Sequence, residues 1–294
     1  METYKNRNIS VDFLRGLAVI GVLLGHALQR GLYPIDFNTI GLTKFIYSWH
    51  MQLFILLSGY TLCLSIRHNG KISIWKKFKR LVIPTYVWSW IIYIVHDFDF
   101  VGIKPFRTFE FGVVEYIKIL LIQPTYIIWF LWVVFIFTIV VYGVYMLTQR
   151  KGLNSDLVVI FLSLFVFSGL SLIETNMRLW GWDYLKQYYV FFVVGYVCAC
   201  LKEEIVHDAV KIVFILLAAY FSLYKLFYSI ETAFPSQLTA FFMISFLYLL
   251  VCKCQKILKI TEKNIICWLG KNSLYLYLYQ FLCLNIGVGG GLSE

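Results

Sequence analysis

Apolar runs of near-membrane length recur along the chain at roughly residues 9 to 28, 45 to 66, 81 to 97, 127 to 147, 157 to 173, 184 to 201, 210 to 230, 236 to 252 and 265 to 286. A helix needs about 20 such residues to cross a bilayer, so the pattern predicts nine spanning helices joined by short polar loops. Phe109 to Gln123 is apolar too, yet it carries Glu115 and Lys118 and ends at Pro124, which suits a segment that lies in the interface or re-enters the membrane. With that segment included, the expectation is an all-α polytopic bundle of nine to ten transmembrane helices. The polar positions are most telling in the first run, where Asp12, Arg15 and His26 stand inside a membrane-length stretch. With Val19 and Val22 they follow a spacing of three and four, and so share one helical face. An ionisable side chain at the bilayer centre costs about 2.5–3.5 kcal/mol, so such residues are kept for packing or for chemistry.

Composition agrees with the pattern. Charged residues are 14% of the chain, hydrophobic residues 60% and aromatic residues 19%, which excludes a soluble globular domain. The 294 residues are filled by the spans, so a single integral-membrane domain over 1–294 is expected. A net charge of +10 would suggest nucleic acid in a soluble protein; here the Lys and Arg residues sit in loops beside apolar runs, and topology accounts for them. With nine spans and a cytoplasmic N-terminus, the basic loops after residues 66, 147, 201 and 252 all fall inside. A crossing by Phe109 to Gln123 would send the last three outside, which favours an interfacial or re-entrant segment there. The first run is interrupted by Asp12 and Arg15 and has no small-residue cleavage site, so it reads as a retained helix. The seven cysteines have no matching histidine cluster, so free thiols and no metal are expected.

Arg15 and His26 lie eleven residues apart, roughly 16 Å along a helix axis, too far for both to act on one carbonyl. They serve different ends of any reaction path. The alternative is that Asp12 and Arg15 form a snorkelling i, i+3 pair while His26 caps the helix at the interface.

Arg7, Asp12, Leu14, Arg15 and Gly16, followed by His26, resemble the opening motif of membrane-bound acyltransferase family 3, the surface-glycan O-acetyltransferases of fucose 4-O-acetylase-like type. His50, Met51, Leu53, Phe54, Ser58, Gly59 and Tyr60 are similar to its second-span motif, with Gln52 where proline is usual. Arg80, Pro84 and Tyr86 resemble its R-x-x-x-P-x-Y, and Trp129, Phe130 and Leu131 its W-F-L. Leu269, Gly270, Ser273, Tyr277 and Leu278 resemble its final-helix motif, which often ends in a histidine where this chain has Gln280.

The resemblance implies an O-acyltransferase of the bacterial cytoplasmic membrane that moves an acetyl group from cytoplasmic acetyl-CoA to a hydroxyl of a surface or lipid-linked glycan. It implies acetyl-CoA as donor, no tightly bound cofactor, and membrane lipid as the surroundings. His26 suits the base or the acyl carrier, because an imidazole exchanges a proton near neutral pH. Arg15, oriented by Asp12, is assigned to the donor end. Lys76, Lys77 and Arg80 suit the phosphates of CoA; for the lysines, topological charge or anionic lipid explains the pattern equally well. His50 suits an acceptor site or an interfacial anchor. Tyr47, Trp49, Trp180, Trp182 and Tyr184 suit sugar stacking or an aromatic belt. Ser58 with Gly59 reads as a helix-packing pair and not a nucleophile. Two rivals remain at this level: a glycan transporter or flippase, which would show paired broken helices, and a silent member that keeps the fold.

Overall fold

The computed structural model describes residues 8–31, 41–97, 112–124, 128–150, 156–172, 179–227, 236–254, 257 and 260–286. Arg7, the first three residues of Phe109 to Gln123 and the tail from residue 287 lie outside them. Among the described residues the chain is all-helical, in the order α1 (Ile9–Gly31), α2 (Gly41–Tyr47), α3 (His50–Asn69), α4 (Ile74–Asp97), α5 (Val113–Ile122), α6 (Trp129–Arg150), α7 (Asp156–Leu172), a 3₁₀ turn (Leu179–Gly181), α8 (Trp182–Cys200), α9 (Glu203–Phe227), α10 (Ser236–Cys254), α11 (Ile265–Lys271) and α12 (Ser273–Ile286). Every apolar run of the sequence contains helix. Three stretches among the described residues are long and apolar enough to cross a membrane: Ile9–Leu28, Leu42–Asn69 and Trp129–Gln149.

Local chemistry sets the ends. Asn8 caps α1, its Oδ1 accepting from the backbone N–H of Ser10 at 3.0 Å and of Val11 at 3.3 Å. Asn264 caps α11 in the same way, accepting from the N–H of Ile266 at 2.8 Å. The Ser73 hydroxyl accepts from the N–H of Lys76, so the basic run opens α4 and does not form a loop before it. Pro84 inside α4 has no N–H, and the carbonyl it leaves without a helical donor is that of Arg80. Three buried hydroxyls are satisfied within their own helices: Thr85 donates to the Leu81 carbonyl, Ser89 to Thr85 and Thr138 to Val134.

The chain groups into two compact units. One comprises Met1–Leu57 with Leu201–Leu284, the other Ser58–Cys200 with Asn285–Glu294. In the first, α1 lies against α11, α2 and α10, and α10 against α9. The α1–α11 crossing is unusually close: a Cβ at Gly16 would collide with the Ile266 carbonyl, and one at Gly270 with the Asp12 carbonyl. In the second unit α4 lies on α6, α6 on α7 and α8, and α7 on α8. Gly59 brings α3 against the Phe192 carbonyl of α8, the packing expected of the Ser58–Gly59 pair. There α5 is pinned to α4, the Tyr116 hydroxyl donating to the Ser89 carbonyl at 2.7 Å and its ring meeting Trp90 edge to face. Ten residues of helix rise about 15 Å, half of a bilayer core, so α5 alone is too short to cross.

Candidate functional site

The first unit gathers the histidines. Gly21 and Gly25, one turn apart on α1, leave a shallow groove into which the α2–α3 junction settles. A Cβ at Gly21 would stand 2.9 Å from Cβ of His50, and one at Gly25 3.0 Å from the Tyr47 ring. Small residues at this spacing let a neighbouring backbone approach closely, which substitutes for the hydrophobic drive that lipid removes.

His50 is 1% exposed and its Nδ1 lies 2.6 Å from the Ile46 carbonyl. A carbonyl only accepts, so Nδ1 carries the hydrogen and the neutral ring keeps its lone pair on Nε2. Tyr47 stands between the two histidines, its ring 5.2 Å from that of His50 and 6.1 Å from that of His26, edge to face with both. Its hydroxyl is 3.5 Å from Nδ1 of His26, the long end of a hydrogen bond. On the other side, His26 meets Phe281 of α12 at 5.9 Å. His26 is half-buried. Of the two rings it is therefore the more accessible.

The contacts Gly16 to Gly270 and His26 to Phe281 are separated by rises of about 15 Å on α1 and about 17 Å on α11–α12. The two run in parallel, with the kink at Asn272 between the contacts. Asp12 is buried at the lower crossing and Arg15 is half-buried one turn on, so Arg15 and His26 sit at opposite ends of this helix pair, as their spacing requires.

Several buried polar atoms of this unit have no hydrogen-bond partner among the described residues. These are Nε1 of Trp49, Oε1 of Gln52 and both amide atoms of Gln280, all buried. Such a group costs about 1–3 kcal/mol.

The remaining candidates belong to the second unit. Lys76 and Arg80 are exposed and Lys77 half-buried in the first two turns of α4, on the side opposite Val82, Thr85 and Ser89, which face its core. Lys79 sits over the exposed Trp75 ring at 5.1 Å. Cations at a helix N-terminus oppose the helix dipole, so this cluster is not there to stabilise α4. Trp180 is 50% exposed, in left-handed backbone (φ 54°), and its carbonyl accepts from the Trp132 indole at 3.1 Å. Trp182 is half-buried, and Tyr184 is used internally, stacked on Trp129 at 4.4 Å with Tyr188 stacked at 5.0 Å. The W-F-L tryptophan is thus an aromatic packing post.

Sequence reasoning did not find the histidine-bridging place of Tyr47 or the part of Phe281. The signal available was the Gly-x-x-x-Gly of Gly21 and Gly25, which marks where another element comes close. No metal-ligating cluster occurs among the described residues.

The family model for the acyltransferase domain of acyltransferase family 3 matches residues 8–287, and so runs through both compact units. The nodulation protein NolL of Sinorhizobium fredii is 29% identical over 208 residues, covering 68% of this chain and 50% of that protein. The nodulation protein NolL of Mesorhizobium japonicum is 32% identical over 91 residues, 30% of this chain and 24% of that protein. The chain spans half the length, or less, of these curated relatives. No solved structure matches it. With a family model matching nearly its whole length, the chain belongs to acyltransferase family 3, a family of membrane acyltransferases.

Proposed function

We propose that the chain is an O-acetyltransferase of the bacterial cytoplasmic membrane. It moves an acetyl group from acetyl-CoA, supplied in the cytoplasm, to a hydroxyl of a cell-surface or lipid-linked glycan. The observation that carries the reading is His26: a half-buried imidazole inside a membrane-length helix, held between Tyr47 and Phe281 in a member of an acyltransferase family.

In this reading His26 takes the proton of the acceptor hydroxyl as its oxygen attacks the thioester carbonyl; the C–O bond forms, the C–S bond breaks, and the CoA thiolate leaves. His50, its Nδ1 committed to the Ile46 carbonyl, acts through Tyr47, fixing the orientation of His26. Arg15, with Asp12 beside it, serves the donor end. Lys76, Lys77 and Arg80 hold phosphates of CoA; their place against the helix dipole supports an anionic partner. Of the three candidate tryptophans, Trp180, with half its surface open, is the most accessible to a sugar ring, with Trp182 and Trp49 behind it. The nine-span arrangement with a cytoplasmic N-terminus, and α5 lying at the interface, completes the reading as one integral-membrane domain over 1–294 with no tightly bound cofactor. The test is transfer of labelled acetyl from acetyl-CoA to glycan in membranes that contain or lack the protein. Transfer that depends on its presence supports the reading; equal labelling in both membranes overturns it.

A further inference from the structure

Gln280 takes no part in the mechanism above, yet it is the side chain with least structural reason to be polar. It is 2% exposed, and among the described residues it is the one side chain with both of its polar atoms buried and unpartnered. A glutamine placed there only to fill space would be outperformed by leucine or methionine, which bury the same volume without desolvating an amide. Its position is specific. Gln280 precedes Phe281, whose ring lies 5.9 Å from that of His26, and it shares the buried side of α12 with Tyr277. Through the parallel course of α1 and α11–α12 it stands level with His26.

We propose that Gln280 is a catalytic residue of the transfer centre, its amide N–H donating to the carbonyl oxygen of the acyl thioester as negative charge develops there. This rests on the acetyl-transfer reading. As the acceptor oxygen bonds to the carbonyl carbon and loses its proton to His26, the carbonyl π electrons move onto oxygen. They return when the C–S bond breaks, and the departing thiolate takes a proton in turn. Gln280 supplies only hydrogen bonds through this sequence, so no electrons or further reactants are needed. An acetyl carbonyl is small and asks for one donor at one point. A sugar, polar on every side, would not be confined to an amide so fully enclosed. Buried donors aimed at developing charge act strongly because no water competes with them.

The experiment uses the full chain in lipid nanodiscs with acetyl-CoA as donor. Gln280→Met keeps length and volume but removes the amide. It is expected to melt at or above the wild-type temperature, to keep KM for acetyl-CoA within about twofold, and to lose kcat by about 10²-fold, as loss of one such donor does. Gln280→Leu, which also has no donor, should lose activity likewise. Gln280→His, which restores a ring N–H, should recover part of it. A Gln280→Met protein with wild-type kcat, or one that melts lower with kcat and KM altered together, overturns the inference. If Gln280→Met does not fold, a fully active Gln280→Leu overturns it. In each case His26→Ala is measured in parallel: an inactive His26→Ala beside an active Gln280→Met leaves the acetyl-transfer reading standing, and an active His26→Ala removes both.

Discussion

The histidine centre and the basic opening of α4 are built on opposite principles. Around His26 and His50, backbone meets side chain across glycines, a histidine nitrogen is committed to a backbone carbonyl, and amide groups are enclosed without partners. At the start of α4, Lys76 and Arg80 stand exposed on the side turned from the core, on a proline-interrupted helix whose dipole they oppose. The first region has geometry that a single methyl group disturbs. The second has charge that is shared among neighbours and screened by salt. Substitutions in the first should therefore change the rate of the chemical step, and those in the second the affinity for an anionic ligand.

The sharpest break of this contrast is Gly21→Leu. The nearest atom is Cβ of His50, which cannot swing away as the tip of a long side chain would. Overpacking of about 1–3 kcal/mol and displacement of His50 are expected. The outcome is a lower melting temperature with kcat reduced by about 10²-fold or more, since misplacement by 1 Å suffices for that. A Gly21→Leu protein with normal activity would remove the glycine groove from the account.

Next in size, if His50 acts on His26 as proposed and not on substrate, His50→Leu should lower kcat by about tenfold to 10²-fold with KM for acetyl-CoA unchanged. A rise in KM for the acceptor at constant kcat would instead return His50 to direct sugar contact. Tyr47→Phe keeps both ring contacts and removes the hydroxyl 3.5 Å from His26. A bond at that limit is weak, so a loss of only severalfold in kcat is expected.

For the second region, Arg80→Ala should raise KM for acetyl-CoA by about tenfold with kcat near wild type, and Lys76→Ala and Lys77→Ala by less. The wild-type KM should climb with ionic strength, and the triple variant should lose that dependence. If all three leave KM untouched, the cluster faces lipid or sets orientation only.

The all-helical character was legible because long apolar runs announce helices, and each of the nine runs holds helix among the described residues, three stretches being long and apolar enough to cross a membrane. The breaks within runs were not. The last run kinks at Asn272, and the second divides at Ser48 and Trp49, where a turn separates α2 from α3. Neither carries a proline, and the single charge at the later break, Lys271, does not interrupt the hydropathy of its run. The basic run looked like a loop because its cations outweigh its pattern, yet the Ser73 cap starts the helix ahead of them. For the site, Asp12, Arg15 and His26 were readable as costly residues on one face. The placement of Tyr47 and Phe281 against His26 depends on contacts between residues far apart in sequence, where no local periodicity points. The same holds for Tyr184, which composition offers to a sugar and tertiary packing gives to Trp129.

The central claim is that His26 performs the transfer. It is tested most directly by following labelled acetyl from acetyl-CoA into glycan in membranes holding equal amounts of wild type and His26→Ala, with folding of both checked by thermal melting. The account predicts transfer by the wild type and a loss of at least about 10²-fold in the variant at unchanged melting temperature. Undiminished transfer by a folded His26→Ala protein would contradict it.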